Sequence, residues 1–283
     1  MAIRDQSYTR YDGPTHHDNM WATIGWSGFR TAWSFWRTKL TLFAIWLLPV
    51  GFFFIVIAEA AFLDGALLFA EGDVSMHAGL GLFLQIQLFA LALLYVARGC
   101  NLIADDMRHK TVQLYFSKPI SRMDYAAGKI ATLLIMALIG VIIPATMVAA
   151  MRTAFYVQTD LFADMALIHV QAMGLLVLIS ILAASLVVGI SSLTDRAGYA
   201  VLIWIGVLLV PTIIHLIVWV ATQGGDWSHM LSIPGVIGLA SDAWLGGDSG
   251  DVPRWLPFLT LFSLIGAGLG ALHMRISRLE GIT

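Results

Sequence analysis

Residues 166–190 read ALIHVQAMGLLVLISILAASLVVGI, and this stretch decides the fold class. It contains no Asp, Glu, Lys or Arg. The hydrocarbon core of a bilayer is about 30 Å thick, and about 20 residues of α-helix are needed to span it. We therefore interpret residues 166–190 as a transmembrane helix.

Five further stretches have the same apolar character. The sequence of 283 residues is 59% hydrophobic and 12% charged, whereas soluble domains carry about 25% charged residues. No segment alternates polar and apolar residues over the length of a transmembrane β-strand. The sequence predicts an all-α integral membrane protein with six transmembrane helices, at residues 40–58, 78–96, 130–150, 166–190, 198–221 and 255–273.

The basic residues predict the orientation, because cytoplasmic loops are enriched in Lys and Arg. Of the 16 basic residues, only Arg152 and Arg254 flank the spans on the less basic side. We expect a bacterial plasma (inner) membrane protein with both termini cytoplasmic. We predict a cytoplasmic segment at residues 1–39, a transmembrane domain at 40–273 and a cytoplasmic tail at 274–283. Within the transmembrane domain, residues 98–129 form a cytoplasmic connection and residues 222–254 form an outer loop.

Two segments outside the spans have helical patterns. Residues 20–40 place Trp26, Trp33 and Trp36 on one apolar stripe with arginines opposite, which is typical of a helix in the headgroup layer. The alternative is an extension of the first span that packs on neighbouring helices. In the outer loop, residues 230–245 are apolar but too few to span, so we expect short re-entrant or interfacial helices.

Several kinds of chemistry are not indicated. The formal charge of −2 gives no basic field for nucleic acid, and the single cysteine, Cys100, excludes a disulfide framework. The pair Gly128-Lys129 lacks the remaining residues of a phosphate loop, and neither a zinc-protease motif nor a nucleophile elbow occurs. We expect no enzymatic activity, cofactor or metal in this chain. Small residues at 266–270 are typical of close helix packing.

Polar residues inside the predicted spans are few, and intramembrane polar groups often line a pathway. The spans carry no carboxylate in mid-membrane, so we expect the energy for any transport to come from outside the chain. His169 and His215 are conceivable haem or copper ligands, although structural histidines are the favoured interpretation. The candidate pathway-lining residues are Gln85, Gln87, Thr212 and His215.

The connection at 98–129 carries an apolar cluster among six basic residues and three acidic residues. Pro119 breaks its helical pattern, and Ser121 is placed to cap a new helix from Arg122. An apolar cluster on a loop with no domain to bury it indicates docking onto a partner. The alternative is a solvated basic loop whose apolar residues dip into the membrane interface.

Residues 105–122, DDMRHKTVQLYFSKPISR, followed by Gly128-Lys129, resemble the signature of type-2 ABC transporter permeases. Asp106 stands where that family usually has Glu, and Lys110 stands where it usually has Gly. Within the family, the sequence most resembles permeases related to nitrous-oxide-reductase maturation. The six spans and the outer hairpin also fit the family along the whole chain.

The resemblance implies a permease subunit that moves a substrate, with export as the expected direction. A separate ABC ATP-binding subunit would hold ATP and Mg, and a second permease, identical or different, would complete the assembly among membrane lipids. The residues implied to couple to the ATP-binding subunit are Asp106, Arg108, Thr111, Leu114, Tyr115, Phe116, Pro119, Ser121 and Arg122.

Two other classes of function remain open from the sequence. The chain could be a membrane anchor or sensor that uses the same connection to hold a cytoplasmic partner without transport. It could also be a redox or metal protein built on His169 and His215. The scarcity of charge in the spans favours an amphiphilic or lipid-like cargo over a small ion.

Overall fold

A computed structural model describes residues 20–62, 73–111, 120–155, 162–247 and 250–280, and no strand occurs among them. Their α-helices are α1 (Met20–Ser34), α2 (Trp36–Phe62), α3 (Asp73–Leu94), α4 (Asn101–Arg108), α5 (Arg122–Ala137), α6 (Ile143–Phe155), α7 (Phe162–Ser192), α8 (Ala197–Ala221), α9 (Ile233–Leu245) and α10 (Leu256–Glu280).

Six helical stretches of the described residues are long and apolar enough to cross a membrane, which confirms the predicted fold class. The fourth and fifth, α7 and α8, lie close to their predicted bounds. The stretches are Trp36–Phe54, Phe83–Arg108, Arg122–Ala154, Phe162–Ser192, Ala197–Ala221 and Leu256–Ser277.

Two of these spans contain a π turn, in which an extra residue is inserted into the α-helical ladder. Tyr95–Gly99 joins α3 to α4, and Leu138–Ile142 joins α5 to α6. The helix of the second candidate span therefore extends beyond residue 96, where the sequence places the end of the span; where this helix leaves the membrane stays a prediction. The helix continues through the π turn to Arg108, and near its end Asp106 pairs with Lys129 of α5.

The predicted helix at residues 20–40 is wrong in its extent, because it is divided at Phe35 into α1 and α2. The guanidinium carbon of Arg98 lies 3.6 Å from the centroid of the Phe35 ring. Trp26, Trp33 and Trp36, from the predicted apolar stripe, remain exposed, whereas α1 buries a different face. The position of α1 in the headgroup layer stays a prediction.

The central helix of the bundle is α7. In the most apolar window of α7, 72% of the residues are buried, whereas the corresponding share in α8 is 6%. Leu176, Ile179 and Leu182 of α7 are completely or almost completely buried. The exposed apolar side chains of α8 face outward from the chain, as expected where lipid rather than water is the solvent.

Close backbone contact joins α7 to α10. A Cβ on Gly268 would lie 2.5 Å from the carbonyl oxygen of Ser185, and a Cβ on Gly189 would lie 2.5 Å from that of Gly268. A Cβ on Gly266 would meet no atom within 4 Å. One glycine of the small-residue stretch at 266–270 therefore serves packing within this chain.

The outer loop contains a 3₁₀ turn at Asp226–Leu231 and the short helix α9. The Ser232 hydroxyl caps α9 by accepting a hydrogen bond from the Gly235 amide at 3.1 Å. The expectation of a short helix here is confirmed, whereas its re-entrant character stays a prediction.

Candidate functional site

Contacts between residues distant in sequence identify one end of the bundle, which we call the basic end. Arg122 Nη1 of α5 donates a hydrogen bond to Ser277 Oγ of α10 at 3.2 Å. Arg275 Nη2 of α10 lies 3.2 Å from Asp195 Oδ1, in the turn between α7 and α8. The connection between the second and third spans leaves the bundle at this end, where the resemblance places the partner-coupling residues.

A buried hydroxyl of α7 fixes the start of α4. Ser191 Oγ accepts hydrogen bonds from the backbone amides of Ile103 and Ala104, at 3.1 and 3.0 Å, and donates to the Cys100 carbonyl at 2.8 Å. These amides lie in the first turn of α4, where a helix has unsatisfied donors. Cys100 supplies no side-chain cap, so α7 caps α4 from outside.

Asp106 forms the centre of the site. Its carboxylate pairs with Lys129 Nζ of α5 at 2.6 Å and accepts a hydrogen bond from the Tyr125 hydroxyl at 2.7 Å. Thr111 Oγ1 donates to the other carboxylate oxygen at 3.1 Å. Lys129 Nζ also donates to the Leu102 carbonyl at 3.2 Å. These contacts tie the end of α4 to the start of α5 across the connection.

The other side of the connection is fixed by a cap. Ser121 Oγ accepts a hydrogen bond from the Asp124 amide at 3.0 Å, and Asp124 Oδ2 accepts one from the Ser121 amide at 3.3 Å. This reciprocal arrangement is a capping box, and α5 begins at Arg122. The predicted role of Ser121 as the cap of this helix is confirmed.

The remaining predicted coupling residues lie in or beside the connection. Arg108 is exposed at the end of α4. Lys110 has φ of 56°, the left-handed conformation that glycine adopts without strain. The other predicted coupling residues fall outside the described part of the chain: Leu114, Tyr115, Phe116 and Pro119.

The sequence interpretation did not foresee what Gly128 does. A Cβ on Gly128 would lie 2.6 Å from the Ile24 Cβ and 3.0 Å from the Trp21 carbonyl oxygen, so α1 packs directly on α5. Thr132 Oγ1 of α5 donates to the Gly25 carbonyl at 3.2 Å. In the Gly-Lys pair, Gly128 admits α1 and Lys129 pairs with Asp106.

The structure does not bring the four candidate pathway residues together in one group. Gln87 is buried in the core, whereas the Gln85 amide faces Gly238 of α9. Thr212 Oγ1 donates to the Leu208 carbonyl at 2.6 Å, and His215 Nδ1 donates to the Ser228 carbonyl at 2.8 Å. Their role in a pathway stays a prediction.

The two histidines considered as metal ligands have separate partners. His169 Nδ1 lies 2.7 Å from the Met165 carbonyl oxygen and 3.0 Å from Thr153 Oγ1. The rings of His215 and His229 are tilted by 42° with their centroids 4.7 Å apart. Among the described residues, no three His, Cys, Asp or Glu side chains are grouped so as to hold a metal ion.

The contact between His215 and His229 predicts a pH dependence for the 3₁₀ turn. Burial and the neighbouring His215 lower the pKa of His229, and Asp226 partly opposes them. The folded turn therefore favours neutral His229, and this stabilisation is present above about pH 6.5, the ordinary histidine pKa, and is lost on acidification. We expect the hydrogen-exchange protection factors of residues 226–232 to fall severalfold between about pH 7.5 and 5.5. The His229→Gln variant should show a flat profile, and an equal fall in that variant would contradict the assignment.

The sequence matches a known protein family over most of its length. The family model described as "ABC-2 family transporter protein" matches residues 24–263. This range begins within α1, covers α2 to α9 and includes the first residues of α10. No curated protein matches the chain.

Proposed function

This chain belongs to the ABC-2 family of transporter proteins, and from that premise we propose that it exports a substrate with energy from ATP hydrolysed by a separate ABC subunit. The chain is then a permease component of an ABC transporter, in which two permeases and two ATP-binding subunits form the assembly. ATP and Mg bind to the partner subunits, and the basic end faces the cytoplasm.

The observation that carries this proposal is the bracing of both ends of the connection. Asp106 and Lys129 join α4 to α5 on one side, and the Ser121 capping box and the Arg122–Ser277 hydrogen bond hold the other side. A segment anchored in this way transmits a displacement to the spans instead of absorbing it. Seating of the connection in a groove of the ATP-binding subunit would therefore move the second and third spans.

The residues of the connection divide into two roles under this proposal. Leu114, Tyr115, Phe116 and Pro119 supply the apolar contact with the ATP-binding subunit, and exposed Arg108 supplies charge complementarity. The other described residues hold the two ends of the connection against the bundle, and we call their contacts the brace: Asp106, Thr111, Ser121 and Arg122. Closure of the ATP-binding subunits rocks the helices and switches a central path between the two sides of the membrane.

The finer assignment rests on the sequence. The resemblance to permeases of nitrous-oxide-reductase maturation is carried by residues 105–122, and it does not define the cargo. The scarcity of charge in the spans supports an amphiphilic or lipid-like substrate. A screen for substrate-stimulated ATPase activity in the assembled complex would contradict this cargo class if only polar ions stimulated hydrolysis.

The proposal is tested by co-purification in mild detergent with the co-expressed ATP-binding subunit. We expect the double variant Arg108→Glu and Leu114→Asp to reduce the recovered ATP-binding subunit by about tenfold or more, since a charge at an apolar contact centre removes its binding energy. The matched control is Arg30→Glu, at an exposed arginine of α1. Equal recovery with the double variant and the control would contradict coupling through this connection.

A further inference from the structure

A cavity of about 220 Å³ lies at the basic end, between α1, α4 and α5. One water occupies about 30 Å³ in the liquid, so the cavity has room for about seven waters or for a polar group of similar size. Apolar side chains of α1 and α5 form part of its wall. The polar lining residues are Ser27, Thr31, Arg98, Asn101, Asp105, Asp106 and Lys129.

Three of these side chains make no hydrogen bond or ion pair with any residue that the structure describes. They are Arg98, Asn101 and Asp105, on successive turns of the second span. Phe35 covers a face of the Arg98 guanidinium at 3.6 Å, and such stacking leaves the in-plane N–H donors available. Asp105 interacts electrostatically with Arg98 without bonding to it. Both charged groups are therefore available to a ligand.

The charges that line the cavity balance. Lys129 is paired with Asp106, and Arg98 and Asp105 add one charge of each sign. An anion would bind Arg98 but meet two carboxylates, and a cation would meet two basic groups. A neutral ligand with separated charges satisfies both available groups, because each end finds its opposite charge.

We propose that this cavity binds the headgroup of phosphatidylethanolamine, with the phosphate on Arg98 and the ammonium on Asp105. Arginine binds phosphate oxygens through two parallel N–H donors, and an ammonium donates charge-assisted hydrogen bonds to a carboxylate. Asn101, which also lines the cavity, lies between Arg98 and Asp105 in the amino-acid sequence.

The surroundings of the cavity favour a lipid as the source of this headgroup. α1 borders the cavity and exposes Trp21, Trp26 and Trp33, and tryptophan is enriched at the level of lipid headgroups. A second, apolar groove of about 300 Å³ has Trp33 in its lining, and Trp33 is next in sequence to Ala32 of the cavity wall. Its lining gives an acyl chain an apolar path along α2: Leu42, Phe43, Trp46, Leu47, Val50 and Ile139.

The experiment is a lipid titration of the purified, delipidated chain, followed by native mass spectrometry. The probes are phosphatidylethanolamine, phosphatidylcholine and anionic phosphatidylglycerol. We expect phosphatidylethanolamine to bind about tenfold more tightly than phosphatidylcholine, whose trimethylated ammonium cannot donate a hydrogen bond to Asp105. Asp105→Asn should abolish this discrimination, and Arg98→Gln should weaken binding of both lipids by about tenfold.

The matched control is Asp195→Asn, which removes an exposed carboxylate at the same end of the bundle and should leave lipid binding unchanged. Because the Asp105 side chain forms no hydrogen bond or ion pair with a described residue, its variant keeps the test decisive if Arg98→Gln fails to fold. Tightest binding of phosphatidylglycerol, or unchanged discrimination in Asp105→Asn, would overturn the proposal. Displacement of the lipid by equimolar free phosphoethanolamine would show that the cavity binds the free headgroup compound as well as the lipid, and would contradict the assignment of the ligand as a lipid. The titration needs no ATP-binding subunit, so its outcome is independent of the proposed function.

Discussion

Replacement of Gly268 by leucine is expected to prevent α10 from packing on α7. The new Cβ would meet the Ser185 carbonyl oxygen at 2.5 Å and the Leu186 amide nitrogen at 2.9 Å. Both atoms belong to the backbone of the central helix, so only separation of the two helices relieves the overlap. Overpacking commonly costs about 1–3 kcal/mol, and we expect the upper part of that range or more here.

The measurement is the thermal midpoint of the monodisperse chain in detergent, followed by size-exclusion chromatography. Gly266→Leu is the matched control, because a Cβ there meets no atom within 4 Å. Gly189→Ala probes the same contact from the other helix and should also lower the midpoint. Equal stability of Gly268→Leu and Gly266→Leu would show that this contact does not hold the bundle together.

The second large effect is expected at the Asp106–Lys129 ion pair. Its side chains are 17% and 8% exposed, respectively, and Asp106→Asn removes the carboxylate that pairs with the nearly buried Lys129 charge. Removal of one member of a buried pair costs about 3–5 kcal/mol. Lys129→Met should have a similar effect by leaving the carboxylate. The double variant should be destabilised by less than the sum of the single variants, because it removes both charges.

The control for this pair is an exposed ion pair of the same end. The side chains of Arg275 and Asp195 are 33% and 66% exposed, and exposed pairs contribute at most about 1 kcal/mol. Asp195→Asn should therefore change the unfolding midpoint little. If Asp106→Asn and Asp195→Asn were equally mild, the pair would not act as a brace, and the coupling argument would lose its main support.

Local sequence signals predicted much of the fold. Long apolar runs gave the six spans because a transmembrane helix must satisfy its backbone internally. The Ser121 cap was also predictable, since Asp124, which completes the capping box, lies three residues away. The break at Phe35 was not, because no glycine or proline marks it and the Arg98 contact at that point comes from a distant part of the chain.

The sequence predicted which segment forms the candidate site, but not which residues from other helices contact that segment. The motif at 105–122 identified the connection, whereas the role of Lys129 depends on α5 returning beside α4. Ser191 and Cys100 are 91 positions apart, and no pattern in the spans marks Ser191 as the cap of α4. Such contacts follow from how the helices assemble, which periodicity and composition do not encode.

The two π turns have a mechanical consequence. Tyr95–Gly99 and Leu138–Ile142 interrupt the two helices that enter and leave the connection. Under the proposed coupling, the Asp106–Lys129 pair and the Ser121 capping box hold the segment between each π turn and the basic end, and we expect bending to occur at the turns. A pull on the connection is therefore expected to bend the second and third helices at the π turns before it strains the glycine contact between α7 and α10.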